Sequence, residues 1–268
     1  MLVLKFGGSS LADTRRMLAS AQIVARRQAQ TPVTVVVSAL AGVTDALLRI
    51  AGAALAGQAG WRDDLAALEQ RHTQTMRELA GYIPDVFTLR WQALYADADA
   101  LAQRNIHTDV HADDAATEAA RFSGWGERLA VDLMAQALLS LGALAAGFAD
   151  EPVLLAESGL RRAAQHATYD SSHVAAPSIL ATRAVLTPRL ALLIMRGGIP
   201  VLPGYIARDA SGRATTLGRN GSDHSAAVIA AALGATGLYL YSDVPGLYTA
   251  DPRIVTEAEL IPTLTYQE

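Results

Sequence analysis

Gly218-Arg219-Asn220-Gly221-Ser222-Asp223-His224-Ser225-Ala226-Ala227 joins glycines that allow close approach, one cation, short polar side chains and one carboxylate, and an Ala-rich apolar segment from Val228 to Leu233 follows at once. The pattern predicts a loop that feeds a helix N-terminus. Backbone N–H groups at such a junction point outward and favour an anion. Arg219 adds a planar fork suited to a carboxylate or phosphate. Asp223 makes little sense as an anion ligand and is expected to orient a cation or metal. The stretch therefore suits a substrate that carries both charge signs.

Outward from this loop, the N-terminus carries a second glycine turn. Leu2-Val3-Leu4-Lys5-Phe6 predicts a strand, Gly7-Gly8-Ser9-Ser10 the turn after it, and Asp13 to Arg27 a helix with Met17, Leu18, Ala21, Ile23 and Val24 apolar. Lys5 is the odd residue of the strand. A buried lysine without a partner is costly, so Lys5 is expected to face a charged ligand; an edge-strand lysine in solvent is the alternative. Pro32 to Val37 predicts a buried parallel strand, followed by Ser38-Ala39-Leu40-Ala41-Gly42-Val43-Thr44-Asp45 as another strand-to-helix junction. Residues 46 to about 105 read as helical, punctuated by Gly57, Gly60, Gly81 and Pro84. A helix starts near Gly126-Glu127 and runs to Leu141, and short strands are expected at Ala143 to Phe148, Pro200 to Ile206 and Leu238 to Tyr241. Strands alternating with helices predict an α/β fold with a mostly parallel sheet covered on both faces, its two halves forming lobes of one continuous sheet.

Composition narrows the function. The 268 residues are 51% hydrophobic, enough for a substantial core. A net charge of -4 without basic runs argues against nucleic-acid or anionic-membrane binding. The absence of cysteine excludes disulfides, thiolate catalysis and Cys-based metal sites. Asp132 and Gln136, and Pro188 and Arg189, interrupt the longest apolar stretches, and the N-terminal apolar run is too short for a signal peptide, so a soluble cytoplasmic protein is expected. The histidines at 72, 107, 111, 166, 173 and 224 show no metal spacing, and no protein-held metal is expected.

Past the last strand, Ser242-Asp243-Val244-Pro245-Gly246-Leu247-Tyr248-Thr249-Ala250-Asp251-Pro252-Arg253 occupies the place where open α/β sheets bind ligands. Tyr248 could meet a base and Arg253 the phosphates; a polar turn with a packing tyrosine is the plain alternative. There is no G-x-x-x-x-G-K-[ST] loop, and Lys5 to Ser10 is not G-x-G-x-x-G.

Taken together, these segments resemble the amino acid kinase family, and within it the aspartate kinases. Lys5-Phe6-Gly7-Gly8-Ser9-Ser10 is similar to the K-F-G-G-[ST]-S signature, Val36 to Asp45 to the second loop, and Gly126-Glu127-Arg128-Leu129 to the G-E-x-[LM] helix start. The segments at 218–225 and 242–253 resemble the remaining two motifs, and Gly218-Arg219-Asn220-Gly221 is most similar to kinases fused to homoserine dehydrogenase. The resemblance implies a three-layer αβα sandwich formed by one domain over 1–268. Residues 1–200 would be mainly the amino-acid lobe and 201–268 mainly the nucleotide lobe. It implies phosphorylation of the L-aspartate side chain by ATP with Mg²⁺, the first step towards lysine, threonine and methionine.

The roles implied by the resemblance are these. Lys5 would neutralise charge on the transferred phosphoryl group and Asp223 would orient it. Gly7, Gly8 and Ser9 would meet the phosphates. Ser38 and Thr44 would line the acceptor side. Glu127 would hold the ammonium, Arg219 the α-carboxylate, and Ser222 would add a hydrogen bond. Ser242, Asp243, Tyr248 and Arg253 would hold ATP.

Alternatives stay open at this level. Another acidic substrate (glutamate, acetylglutamate or carbamate) fits Glu127 and Arg219 less well. A non-catalytic binding or regulatory subunit fits the retained Lys5, Arg219 and Asp223 less well. Aspartate kinases continue beyond the segment resembling Thr265 to Glu268 with a further lysine-bearing loop and, commonly, ACT domains. Neither occurs in these 268 residues, and a homodimer, a fusion or a partner carrying that segment is expected. Ser242 stands where threonine is common.

Overall fold

The computed structural model describes residues 1–105, 112–150, 155–156, 177–209, 214–218 and 220–265. In chain order these form β1 (Leu2–Phe6), a 3-10 turn (Gly8–Leu11), α1 (Thr14–Gln28), β2 (Val33–Val37), α2 (Val43–Leu55), α3 (Trp61–Ala80), α4 (Asp85–Asn105), α5 (Ala112–Ser123), α6 (Trp125–Ser140), β3 (Ala145–Gly147), β4 (Leu155–Ala156), α7 (Ile179–Met195), β5 (Ile199–Pro203), β6 (Ile206–Asp209), β7 (Ala214–Thr216), α8 (Gly221–Leu233) and β8 (Gly237–Tyr241).

Five strands make one parallel sheet in the order β3-β5-β2-β1-β8. Helices cover both faces, which completes the expected αβα sandwich. All five residues of β2 are buried, as a strand covered on both faces requires. Alternation along β1 divides the core. Leu4 and Phe6 pack with Val35, Val37 and Val201 into a cluster that includes α1, α2 and α6. Val3 packs with Val36 and Leu202 beneath α7 and α8, against Leu186, Leu190, Ala226 and Ile229. Lys5 is two residues from Val3, so the pleat turns it to the α8 face.

The local signals explain most boundaries. Asp13 caps α1 by accepting the Arg16 N–H at 2.8 Å. The helical region from 46 to 105 is α2 to α4, broken where Gly60 and Gly81 adopt φ of 94° and 80° at the two ends of α3.

One expectation is corrected. The strands do not form a single continuous sheet: β4, β6 and β7 form a second, three-stranded one. The chain turns out of the main sheet just after β5. Tyr205 takes φ of 61°, and the Ile206 N–H returns to the Gly204 carbonyl at 2.5 Å. That tight bend redirects β6 away from the edge it would otherwise extend. The boundary between residues 200 and 201 runs through β5, and β8 returns to pair with β1. The helices α5 and α7 are not anticipated from sequence. In α7 the cause is Pro188, which lies inside the helix and reads locally as a breaker. No helix among the described residues is long and apolar enough to cross a membrane.

Candidate active site

The parallel sheet brings its strand-to-loop junctions to one end. Backbone bonds stitch these junctions together: Gly7 N–H to the Tyr241 carbonyl at 3.1 Å, Ser38 N–H to the Phe6 carbonyl at 3.1 Å, and Gly204 N–H to the Val37 carbonyl at 2.8 Å. The carboxyl ends of β8, β1, β2 and β5 therefore open onto a common floor, where ligands of open α/β sheets bind.

Lys5 lies on this floor, 8% exposed. Its Nζ meets Asp223 Oδ1 at 2.5 Å. Asp223 stands in the first turn of α8, after Asn220 in the left-handed region (φ 57°). The pair follows from two local rules, strand alternation and helix start, acting on residues far apart in the chain. The Asp223 side chain is half exposed, but Oδ1, the atom that meets the ammonium, is buried. The solvent-edge reading of Lys5 is thereby set aside.

The glycine turn is shaped for anions. The Ser9 carbonyl accepts from Arg16 Nη1 at 3.0 Å, the Ser10 carbonyl from Ser20 Oγ at 3.0 Å, and the Gly8 carbonyl from the Ala41 N–H at 3.1 Å. The negative ends of these peptides are thus held by the protein. The N–H groups of Gly8 and Ser9 begin the 3-10 turn and bond to no acceptor among the described residues, so they are available to phosphate oxygens. A side chain at Gly8 would place its Cβ 2.8 Å from the Ala39 carbonyl oxygen. Glycine is required there because two loops touch.

Glu127 is the most strongly perturbed group of the site. It is 3% exposed in the first turn of α6. Its Oε1 accepts the Ala39 N–H at 3.1 Å, while Oε2 is buried with no hydrogen-bond partner among the described residues. Burial raises its pKa to about 8. The close approach depends on Gly126, whose added Cβ would fall 2.7 Å from the Ala39 Cβ. Glu127 is therefore no ordinary helix-capping carboxylate. An unsatisfied buried carboxylate oxygen is a docking point for a cation.

Ser38 is half-buried directly after β2, Thr44 is half-buried in the first turn of α2, and Ser222 is 8% exposed in the first turn of α8. With Lys5, Gly7, Gly8, Ser9, Glu127 and Asp223 they share the sheet end. Arg219 lies outside the described residues. Ser242 and Asp243 follow the edge strand β8 and are exposed. Tyr248 is held by a bridge to Leu260. Arg253 donates to Asp251 at 3.1 and 2.8 Å, and its side chain is 88% exposed.

Several contributors were not anticipated. The Ala39 N–H has no side-chain signature. Tyr205 and Ser123 share a hydrogen bond at 3.0 Å that ties the bend after β5 to the end of α5. A sequence signal existed only for the bend, in Pro203-Gly204.

The described residues contain no group of three or more His, Cys, Asp or Glu side chains placed to hold a metal. The arrangement can hold a cation at Glu127 and an anion at the glycine turn, with the Lys5 ammonium paired to Asp223 at the same sheet end.

The model of the amino acid kinase family matches residues 1–268. The chain belongs to that family. Among family members it is similar to lysine-sensitive aspartokinase 3 of Escherichia coli, with 32% identity across the whole chain and 54% of that protein. It is 29% identical to the bifunctional aspartokinase/homoserine dehydrogenase of Haemophilus influenzae, covering all of this chain and 31% of the relative. The structure of E. coli aspartokinase III in complex with aspartate and ADP superposes with a TM-score of 0.77 at 28% identity, over 97% of this chain and 53% of that one. The chain thus spans about half the length, or less, of the relatives it matches.

Proposed function

We propose that this chain transfers the γ-phosphoryl group of ATP to the side-chain carboxylate of L-aspartate, giving 4-phospho-L-aspartate and ADP. The observation that carries the reading is Glu127: a buried carboxylate with one free oxygen, at the same sheet end as the Lys5–Asp223 pair. An α-amino acid supplies the ammonium that such an oxygen lacks. The aspartokinase relatives, and the aspartate and ADP in the related structure, support the same substrates.

Chemistry and residues agree. The free aspartate side chain has a pKa near ~3.9 and is already ionised at neutral pH, so no general base is needed. A carboxylate oxygen forms a bond to the γ-phosphorus as the bond to the β–γ bridging oxygen breaks, and ADP leaves with that electron pair. Bringing two anions together is the main barrier, and positioning and charge screening lower it. Lys5 Nζ would screen the transferred group, with Asp223 fixing its direction. The N–H groups of Gly8 and Ser9 would cradle phosphate oxygens. Glu127 would take the substrate ammonium, and Arg219, in the family's pattern, its α-carboxylate. Ser38, Thr44 and Ser222 would supply hydroxyl contacts. Ser242, Asp243, Tyr248 and Arg253 would bind the nucleotide, for which Arg253 must leave Asp251. The donor set provides no three-carboxylate cage among the described residues. Mg²⁺ bound to the ATP phosphates would neutralise charge there. The division into an amino-acid lobe over 1–200 and a nucleotide lobe over 201–268, and a cytoplasmic setting, belong to the same proposal.

The test is hydroxylamine trapping of acyl phosphate with ATP and aspartate, glutamate, acetylglutamate or carbamate in parallel. Product from aspartate alone is expected. Product only from another acid, or from none, would overturn the reading.

A further inference from the structure

Arg71, on α3, is far from the sheet end in sequence and belongs to none of the motifs. Its guanidinium nevertheless reaches both site loops. Nη2 donates to the Ala12 carbonyl at 2.9 Å, at the close of the glycine turn, and Nη1 donates to the Ala41 carbonyl at 3.1 Å, in the loop after β2. No carboxylate among the described residues pairs with it. Two other partly buried arginines are held by acids: Arg90 by Asp132 and Asp150, Arg121 by Asp97 and Glu118. Arg71 instead spends both arms on main-chain oxygens of two different segments.

We infer that Arg71 is a positioning residue that clamps the phosphate loop (Gly7 to Ala12) to the acceptor loop (Ser38 to Gly42) and so sets the distance between the two reacting groups. The inference rests on the proposed kinase reading. The first loop offers N–H groups to the donor phosphates, and the second carries Ser38 and leads into Thr44. A planar fork can hold two carbonyls at a fixed angle, which a lysine ammonium on a flexible stem cannot. The carbonyls of Gly8, Ser9 and Ser10 are bonded to Ala41, Arg16 and Ser20, and Arg71 secures that of Ala12 at the far end of the same loop. Besides the clamp, the Gly8–Ala41 backbone bond joins the two loops. The helix carrying Arg71 is firm there: Thr75 Oγ1 donates to the Arg71 carbonyl at 3.1 Å, and the neighbouring His72 is fully buried.

A misplacement of about 1 Å between reacting groups lowers rate by roughly a hundredfold. Arg71→Lys and Arg71→Met should therefore lower kcat by about tenfold to a hundredfold, with the smaller loss in Arg71→Lys. The KM values for ATP and aspartate should each shift less than about threefold, because each loop still binds its own ligand. Amide hydrogen exchange should quicken in 7–12 and 38–42 together. Arg62→Met, on the same helix as Arg71, which removes an exposed ion pair with Asp99 of α4, should change neither readout. Should Arg71→Met fail to fold, Arg71→Lys carries the test. A kcat within twofold of the parent in a folded variant, or faster exchange in one loop alone, overturns the clamp. If the unaltered chain forms no acyl phosphate, the kinase reading fails, and the exchange experiment still decides whether Arg71 joins the loops.

Discussion

Glu127 and Ala39 are joined by one hydrogen bond at 3.1 Å, from the Ala39 N–H to Oε1, and that bond leaves the second carboxylate oxygen buried and unsatisfied. Neutral backbone donors, the Ala39 N–H first and Glu127's own N–H second, are poor compensation for a charge removed from water. The chain thus carries a group whose ionisation is costly until a ligand supplies a cation. Binding and protonation are linked at this residue.

The sign of that linkage can be worked out. The folded-state pKa is about 8, above the ordinary 4.5. The folded chain therefore holds a proton that the unfolded chain has lost. Its contribution to stability is fully present below the ordinary value and is lost as pH rises through about 8, by up to about 1.4 kcal/mol per pH unit. Glu127→Gln should flatten this slope in urea titrations between pH 5 and 8.5. In assays, KM for aspartate should fall as pH rises towards 8 in the parent and stay flat and high in the variant, with KM for ATP little changed. Equal stability slopes in the two proteins would remove the case for a strained carboxylate.

Lys5→Ala should lower kcat by roughly a hundredfold or more, the usual scale for one preorganised charge contact to a transition state. The fold should survive, since the Asp223 carboxylate left behind is half exposed and can be rehydrated. Circular dichroism and single-turnover acyl-phosphate formation check the two halves of the claim. A variant that is folded and nearly as fast as the parent would leave Lys5 a passive strand residue.

Much of this architecture could be read from the chain because the deciding signals are local. Val33 to Val37 is uniformly apolar and becomes a fully buried strand. Gly218 to Ser225 reads as a helix entrance and becomes the start of α8. Alternation in β1 was enough to make Lys5 the odd residue. The remainder depends on contacts between distant segments. Nothing near Ala39 reports that its N–H meets Glu127. Nothing near Arg71 reports that Ala12 and Ala41 converge on it. The second sheet was missed because a left-handed tyrosine at 205 is held by tertiary contact, where local preference would place glycine or asparagine. Pro188 concealed α7 for the opposite reason: a strong local signal is overruled by packing of Leu186 and Leu190.

His72 should make the fold acid-sensitive. It is fully buried, with Nδ1 2.7 Å from the Leu68 carbonyl and its ring edge-on to Trp91. Burial lowers its pKa to about 4, and the nearby Arg71 charge acts in the same direction. The folded chain resists a proton that the unfolded chain accepts, so stability is present above about 6.5 and is lost as pH falls towards 4. The loss should approach about 1.4 kcal/mol per pH unit. His72→Phe should remove that component of the slope in denaturant titrations at pH 7, 6 and 5. An unchanged slope would mean that His72 finds a compensating partner when protonated.

Arg90 should matter for stability more than for turnover. Its side chain is 7% exposed and grips Asp132, itself 13% exposed, through Nε and Nη2, while Nη1 reaches the exposed Asp150 at 2.7 Å. Burial already raises the pKa of Asp132 to about 6, with Arg90 opposing the rise. Arg90→Met would leave that carboxylate buried without its partner, and loss of one member of a buried pair costs about 3–5 kcal/mol. Arg90→Met combined with Asp132→Leu should recover a large part of the loss, since the pair is removed whole. Asp150→Ala, at the solvent side of the same cluster, should cost less than about 1 kcal/mol. Chemical denaturation of the three variants at pH 7.5 checks the order. If Arg90→Met were no more destabilising than Asp150→Ala, Asp132 would have to be solvated or protonated at little cost, and the cluster would not be the anchor between α4 and α6 that its burial indicates.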